Sequence, residues 1–586
     1  MKFSSLIFLI LFWNISFCQS SSPKPNILIL LADDQGWGDL GFTGNKTAST
    51  PHIDQLARQG IFFNHFYVSP VCSPTRAEML TGRYHVRAGV SGVTSGKERM
   101  DLDETTMAQY FKSAGYMTGL FGKWHNGAQG PYHPSSRGFD EFYGFTFGHI
   151  GNYFQPALQH NGQPIRGNGF ITDDFTNQGI EFIDQHKDHP FLAYFAFNTP
   201  HSPMQVPDAY WDKYKNRNPS QKGTLAEKEN IEHTKAAMAM NENLDWNVGR
   251  IMNELERLHL LDNTIVIYFS DNGPNGNRWN NEMKGIKGST DEGGIRSPFI
   301  IQWKNHITPG KRIQQIAGAI DILPTLIDLT GISKESKKLF DGISLKPVLF
   351  GGNEKIIQNR ILPTYWTGKT SVRSQRFRLS DDDQLYDLKT DSSQTKDVSK
   401  IYKDDFEKLS SFKKNWKQNV LSELPPNDQR PFLIGYPALQ YEILPASEAS
   451  STGSFIRSSI HPNDSYYKQW RNDSDRVIWN VQVMEEGDFE VEFHYACSDK
   501  NIGTSIELSF GDAKVISAIQ SSNDAEIIGK REDRVERDES YLKIFKPLSL
   551  GRIRLNKGDG SLVLHAVGLK YPDDLEFYRL VFKRVK

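Results

Sequence analysis

The sequence predicts an α/β protein whose mostly parallel sheet is sandwiched by helices, followed by a small α+β subdomain and an additional β-sandwich. Three observations carry this. Through the first half of the chain, short apolar runs alternate with helical patterns. From about Ser371 the runs become shorter and closer together. Beyond Asp428 the helical period gives way to two-residue alternation.

The elements follow in order. Asn26 to Leu31 is an apolar run and reads as a strand, and His52 to Gln59 reads as a helix. Helix then strand recurs three times: Thr105 to Ala114 then Tyr116 to Phe121, Asp173 to Gln185 then Phe191 to Phe197, and Ala236 to Leu258 then Thr264 to Phe269. Apolar strands alternating with helices imply a parallel sheet covered on both faces. Ser371 to Leu379 and Gln384 to Leu388 read as short strands, closed by a helix from Ile401 to Val420. Leu424-Pro425-Pro426-Asn427-Asp428 signals a linker. After it Trp479, Val481 and Val483 alternate, as do Phe489, Val491, Phe493 and Tyr495, with Glu486-Gly487-Asp488 as the turn between them. Ile553, Leu555 and the run Leu562 to Val567 extend the pattern, which fits a jelly-roll sandwich. The expected divisions are residues 24–370, 371–421, a linker over 422–432, and 433–586.

A chain of 586 residues is too long for one small core. Its formal net charge of -2 provides no basic field for nucleic acid, so anion recognition must be local. Lys2, the apolar stretch Leu6 to Phe17 and the Ser16-Phe17-Cys18 end read as a signal peptide over residues 1–18, too short to span a membrane comfortably. A secreted or periplasmic protein is expected. A lipid anchor at Cys18 is the lesser alternative, because Phe17 is a poor residue before such a site. No later stretch reads as a transmembrane span. The three cysteines, Cys18, Cys72 and Cys497, are too few for a disulfide framework in an exported chain, so Cys72 asks for a chemical reason.

The polar residues that look chemical sit where the strands end. Asp33 and Asp34 follow the first strand, Lys123 and His125 the second, His201 the third, and Asp271 and Asn272 the fourth. Ligands of open α/β sheets bind beyond the carboxyl ends of the strands. Either acidic pair alone reads as a turn. Together, after two strands of one sheet, three carboxylates and an amide suit a hard divalent cation, calcium or magnesium.

Cys72-Ser73-Pro74-Thr75-Arg76, followed by Leu80-Thr81-Gly82-Arg83, resembles the signature of the sulfatases. Gly122-Lys123-Trp124-His125, Thr199-Pro200-His201-Ser202-Pro203, and Lys287-Gly288-Ser289-Thr290 leading into Glu292-Gly293-Gly294-Ile295-Arg296 resemble further motifs of that family, in the family's order. Gly138-Phe139-Asp140, Asp321-Ile322-Leu323-Pro324-Thr325 and Leu385-Tyr386-Asp387-Leu388 look like its landmarks, so the resemblance runs from about Lys24 to Val420. It implies that a maturation enzyme oxidises Cys72 to formylglycine, an aldehyde whose hydrate is the nucleophile. It implies calcium held by Asp33, Asp34, Asp271 and Asn272 with the oxygen of residue 72. It further implies that Arg76, Lys123 and His125 hold and activate the formylglycine, that His201 and Lys287 bind sulfate, and that His201 is a candidate proton donor to the leaving alcohol. Asn126 departs from the family, where an aliphatic residue is more usual.

An exported enzyme with an added β-domain suits a sulfated polysaccharide, algal polymers and glycosaminoglycans being equally open. Tyr466, Tyr467 and Trp470 are candidates for exposed glycan-binding aromatics. The alternative is that the β-domain only buttresses the catalytic one, and on either reading it is expected to be dispensable for the chemistry. The rival readings are an arylsulfatase or a phosphonate or phosphate monoester hydrolase of the same superfamily, and a catalytically silent binder of sulfated glycans. The silent binder predicts damaged site residues, and none is found.

Overall fold

The computed structural model describes residues 24–585 apart from 335, 337, 353, 354 and 426. The expected signal peptide, with Cys18, and Pro426 of the expected linker lie outside the described residues. Asn26–Ala32 is buried along its whole length, as a strand covered on both faces must be. Its side chains divide by the two-residue period: Ile27, Ile29 and Leu31 enter one core, Leu28 and Leu30 the other. Thr264–Ser270 and Phe191–Ala196 pair with it in parallel from either side, and Met117–Lys123 pairs in parallel with Phe191–Ala196. The four strands expected from the sequence are therefore adjacent in the middle of an eleven-stranded sheet, and their carboxyl ends share one edge. Antiparallel partners, among them Arg296–Trp303 against Thr264–Ser270, extend the sheet outward.

The strands Ile61–Tyr67 and Arg296–Trp303 and the helix Cys72–Thr81 are additions to the sequence reading. The helix gives no amphipathic signal because all ten of its residues are buried, Arg76 and Glu78 included. Downstream, Leu362–Trp366, Lys369–Arg373, Phe377–Leu379 and Leu385–Asp387 form a four-stranded antiparallel sheet, and the helix Lys403–Asn419 packs Leu409 into its core. Among the described residues no helix is long and apolar enough to cross a membrane.

The C-terminal segment contains two six-stranded sheets that share one core, built from the alternating residues Trp479, Val481, Val483, Phe489, Val491, Phe493 and Tyr495. The expected exposed aromatics are a correction. Trp470 is 0% exposed, Tyr467 4% and Tyr466 5%. Trp470 packs on Phe455 at 5.1 Å and Tyr466 on Phe545 at 5.1 Å between ring centroids. A sandwich of this size needs large rings to fill the gap between its sheets, and Tyr467 and Trp470 serve that purpose, while Tyr466 is buried in a smaller cluster with Phe545.

The chain after Asn427 is tied to loops that surround the large sheet. Arg430 pairs with Asp101 at 2.8 Å, and buried Arg99 donates to the carbonyls of Arg430 (2.6 Å) and Pro431 (2.5 Å). Farther on, Asp464 accepts from the Gly151 N–H at 2.5 Å, Arg537 donates to the Gly151 carbonyl at 2.5 Å, and Arg534 donates to the Val206 carbonyl at 2.6 Å. Each buried bond of this kind contributes about 1.5–3 kcal/mol, and the more exposed Arg430–Asp101 pair about 0–1 kcal/mol, against a whole folding margin of about 5–15 kcal/mol. Truncation after Asn427 is therefore expected to lower the melting temperature and reduce activity on small and polymeric substrates together. Calorimetry and assays on both substrates check this, and a stable, fully active truncated protein would contradict it.

Candidate active site

Cys72 is the first residue of its helix, which has no side-chain cap. The unpaired N–H groups of the first turn and the positive end of the helix dipole therefore lie at the cysteine. Cys72 is 3% exposed, and burial raises its thiol pKa although Lys123 and Lys287 pull it down. Cys72 and Cys497 are both free and buried.

The strand ends converge on this helix. The Asp33 N–H donates to the Thr199 carbonyl and the Asp271 N–H to the Ala32 carbonyl, both at 3.1 Å, which locks the adjoining loops together. Asp33, Asp34, Asp271 and Asn272 are all 0% exposed. One ligand atom each from Asp33, Cys72 and Asp271 lie within 4.8 Å of one another, and so do ligand atoms of Asp33, Asp34 and His201. Asp34 holds a left-handed φ of 66° and His125 one of 62°, conformations that cost a non-glycine residue roughly 1–3 kcal/mol and mark a constrained site.

Each carboxylate has a cationic partner. Arg76 grips Asp271 Oδ2 through Nε (3.1 Å) and a terminal nitrogen (2.7 Å), and its other terminal nitrogen donates to the Lys123 carbonyl at 2.8 Å. Lys123 Nζ lies 2.6 Å from Asp33 Oδ2. Lys287 Nζ lies 2.7 Å from Asp34 Oδ1 and 2.9 Å from Oδ2. Three buried carboxylates in one place are still strained: burial and the Asp33 charge push the Asp271 pKa up to about 7. Burial acts on Asp33 in the same sense, but Lys123, His201 and Arg76 overcome it and hold its carboxyl far below the usual range.

The residues fit a hard cation. Asn272 Nδ2 donates to Asp34 Oδ1 at 2.7 Å, which leaves Asn272 Oδ1 as an acceptor. Asn272 Oδ1 and Asp33 Oδ1 are buried and have no hydrogen-bond partner. Orphaned acceptor oxygens among carboxylates are what an all-oxygen cation site leaves when only protein atoms are counted.

His201 lies with Nε2 3.6 Å from Asp34 Oδ2, and its Nδ1–H donates to the Ser202 carbonyl at 2.6 Å. His125 Nε2–H donates to the Val93 carbonyl at 2.9 Å, leaving Nδ1 buried without a partner. Cys72, Arg76, Lys123, His125, His201, Lys287, Asp33, Asp34, Asp271 and Asn272 thus come from separate stretches of the chain to one end of the sheet.

The sequence reading singled out Asn126 as a departure from the family, and it missed Arg278, His149 and Glu539. Asn126 donates to the Ser73 carbonyl (3.2 Å) and hydroxyl (3.3 Å), so the departure from an aliphatic residue ties the loop after Lys123 to the Cys72 helix. Arg278 clamps Asp39 at 2.6 Å and donates to the Asp34 carbonyl at 3.1 Å beneath the site. His149, 4% exposed, has its ring centroid 5.6 Å from that of His201. It follows the strand Glu141–Phe145, so the strand-end rule could have found it. Glu539 accepts from the Ser202 hydroxyl at 2.6 Å and comes from the C-terminal segment, where no local signal marks it.

Comparison with known proteins agrees with this geometry. The family model described as Sulfatase matches residues 25–332, and the model N-sulphoglucosamine sulphohydrolase, C-terminal, matches residues 287–422. The chain is 31% identical over 369 residues to human N-acetylgalactosamine-6-sulfatase, covering 57% of this chain and 67% of that one. It is 32% identical over 395 residues to human arylsulfatase A, covering 60% and 74%. The crystal structure of Ps i-CgsB superposes with a TM-score of 0.61 at 30% identity, covering 68% of this chain and 93% of that one. With a site of this composition and a family model over more than half its length, the chain belongs to the sulfatase family, the sulfuric ester hydrolases.

Proposed function

We propose that this protein is an exported sulfatase that removes sulfate esters from a sulfated polysaccharide or its oligosaccharides, with Cys72 matured to formylglycine and one calcium ion held by Asp33, Asp34, Asp271, Asn272 and the oxygen of residue 72. The observation that carries the reading is the charge balance around Cys72. Three carboxylates face three cationic side chains, so the site is neutral by itself and becomes an anion receptor once a divalent cation is added. The bound groups supply a hydroxyl nucleophile and neutralisation of sulfate charge.

The side chains of the chain do the rest. Arg76 holds Asp271 and the Lys123 backbone, which fixes the start of the Cys72 helix relative to the strand ends. Lys123 and Lys287, which both act electrostatically on Cys72, draw in the sulfate oxygens. The Ser202 carbonyl holds the His201 Nδ1–H and leaves Nε2 3.6 Å from Asp34. Burial and Lys287 lower the ring's pKa while Asp34 and Asp33 raise it, so Nε2 first takes up a proton, with the two carboxylates favouring the imidazolium, and then passes it to the leaving alcohol oxygen. Glycan substrates are supported by the names of relatives, N-acetylgalactosamine-6-sulfatase at 31% identity and Ps i-CgsB, also solved with k-i-k-neocarrahexaose, at 29%. Export rests on the leader sequence.

Three outcomes are expected. Co-production with a formylglycine-generating enzyme gives a residue-72 peptide with the aldehyde mass, and Cys72→Ala lowers turnover by more than ~10³-fold; unchanged activity in that variant would defeat the proposal. Elemental analysis of active enzyme finds about one calcium per chain, and chelation abolishes activity that calcium restores; active enzyme holding zinc or no metal would contradict the ligand assignment. His201→Ala lowers turnover of N-acetylgalactosamine 6-sulfate by about 10²–10⁴-fold and of 4-nitrophenyl sulfate far less, because a good leaving group needs little proton help. Equal losses on the two would assign His201 to sulfate binding instead.

A further inference from the structure

One loop of the C-terminal segment reaches the residues around His201. Ile527 and Lys543 bridge at its base, and from there it runs along the stretch after His201. The Arg534 N–H donates to the Met204 carbonyl at 3.0 Å, and the Gln205 amide donates to the Gly529 carbonyl and to Asp533, each at 2.8 Å. Arg537, bound to Asp533 through Nε at 2.7 Å, is buried beside them. These contacts set Glu539 against Ser202, whose hydroxyl donates to Oε1 at 2.6 Å and whose carbonyl holds His201.

His149 approaches His201 from the catalytic domain. It is buried, yet neither ring nitrogen has a hydrogen-bond partner. Leaving such a group unsatisfied is costly, so the pair of nitrogens asks for a ligand. Burial holds the ring neutral, lowering its pKa to about 3, and a neutral imidazole offers one donor and one acceptor. That complements a hydroxyl group, which also does both. A sulfate oxygen could use only the donor.

Glu539 adds the opposite preference to that of the sulfate pocket. Burial works to raise its pKa, but the hydrogen bonds from the Ser202 hydroxyl and from its own backbone N–H lower it, so it is an ionised acceptor. It lines a groove of about 370 Å³ that also carries Ser202, Glu536, Asp538 and Lys228. Arg537, on the same lining, is committed to Asp533. The groove is therefore anionic beside a centre built to receive an anion.

We propose that His149 and Glu539 form the subsite for the sugar that carries the scissile sulfate, binding its uncharged hydroxyls, and that Glu539 excludes a second sulfate or carboxylate from that position. The subsite is assembled from the catalytic domain and from a segment beyond both matched family models, and it rests on the sulfatase reading.

The test compares matured wild type, Glu539→Gln and His149→Ala on N-acetylgalactosamine 6-sulfate, N-acetylgalactosamine 4,6-disulfate and 4-nitrophenyl sulfate, which has no sugar hydroxyl. Glutamine keeps an acceptor for the Ser202 hydroxyl, so that variant removes charge and spares the bond. Wild type is expected to favour the monosulfate over the disulfate by about tenfold or more in kcat/KM, and Glu539→Gln to narrow this to about threefold by gaining on the disulfate. His149→Ala is expected to raise KM for the sugar monosulfate about tenfold while kcat and the 4-nitrophenyl sulfate rate change less than about twofold. Calorimetric binding of the two sugar sulfates to the Cys72→Ala forms should follow the same order, independent of turnover. Parallel losses on all three probes, an unchanged ratio in Glu539→Gln, or a wild type that turns over 4-nitrophenyl sulfate without preferring the monosulfate would each overturn the subsite alone. Matured wild type inactive on every probe would overturn the sulfatase reading and the subsite with it.

Discussion

The centre is organised by the crowding of three carboxylates in a buried place. Asp33, Asp34 and Asp271 are fully buried, and two like charges about 4 Å apart at an effective dielectric near 20 repel by about 4 kcal/mol. No single strand could supply the compensation. Lys123 comes from a neighbouring strand end, Lys287 from a loop, and Arg76 from the Cys72 helix. Arg76 stands one helical turn after Cys72, so its grip on Asp271 also fixes the cysteine over the carboxylates. Charge neutralisation and placement of the proposed nucleophile are thus one interaction.

That demand reaches into the backbone. Gly122 holds a φ of 124°, and a Cβ there would stand 2.0 Å from the Ala196 carbonyl oxygen. Only glycine lets the Lys123 strand lie close enough to Phe191–Ala196 for lysine and histidine to leave it toward the site. Asp34 and His125 accept left-handed conformations, and Asn126 and Arg278 hold the loops that carry them. The site is rigid because several strands and a helix each supply one part of it, and moving any one of them would separate a charge from its partner.

The same physics sets what was legible in the sequence. Strands buried on both faces write themselves as unbroken apolar runs, so Asn26, Phe191 and Thr264 could each be read as a strand start, and polar residues just past such runs stand out. The Cys72 helix could not be read, because full burial erases the contrast between faces on which helix recognition depends. Its chemistry was legible only through the resemblance of its motif. Tyr466, Tyr467 and Trp470 misled for a related reason: a large ring with a polar handle looks the same in sequence whether it is buried among other rings or faces a sugar. His149 was readable in principle from its place after a strand. Glu539 was not, since its meaning depends on a contact with Ser202 across 337 positions of chain.

Chemistry and selectivity are therefore encoded at different ranges. The groups proposed to handle sulfate sit at strand ends and one helix start, positions dictated by the parallel sheet and repeated wherever that sheet is built this way. The groups that meet the rest of the substrate are free to come from anywhere the chain can reach. Here one of them comes from a loop of a β-sandwich that lies beyond the family models, anchored by Arg534, Arg537 and Gln205. Such a loop can change its charge without disturbing the carboxylate–cation pairs, because its contact with the centre passes through the Ser202 hydroxyl and touches none of the three carboxylates. A chain of this kind can keep one reaction while altering which sulfated sugar it accepts. That separation explains why the family motifs name the reaction and are silent about the sugar.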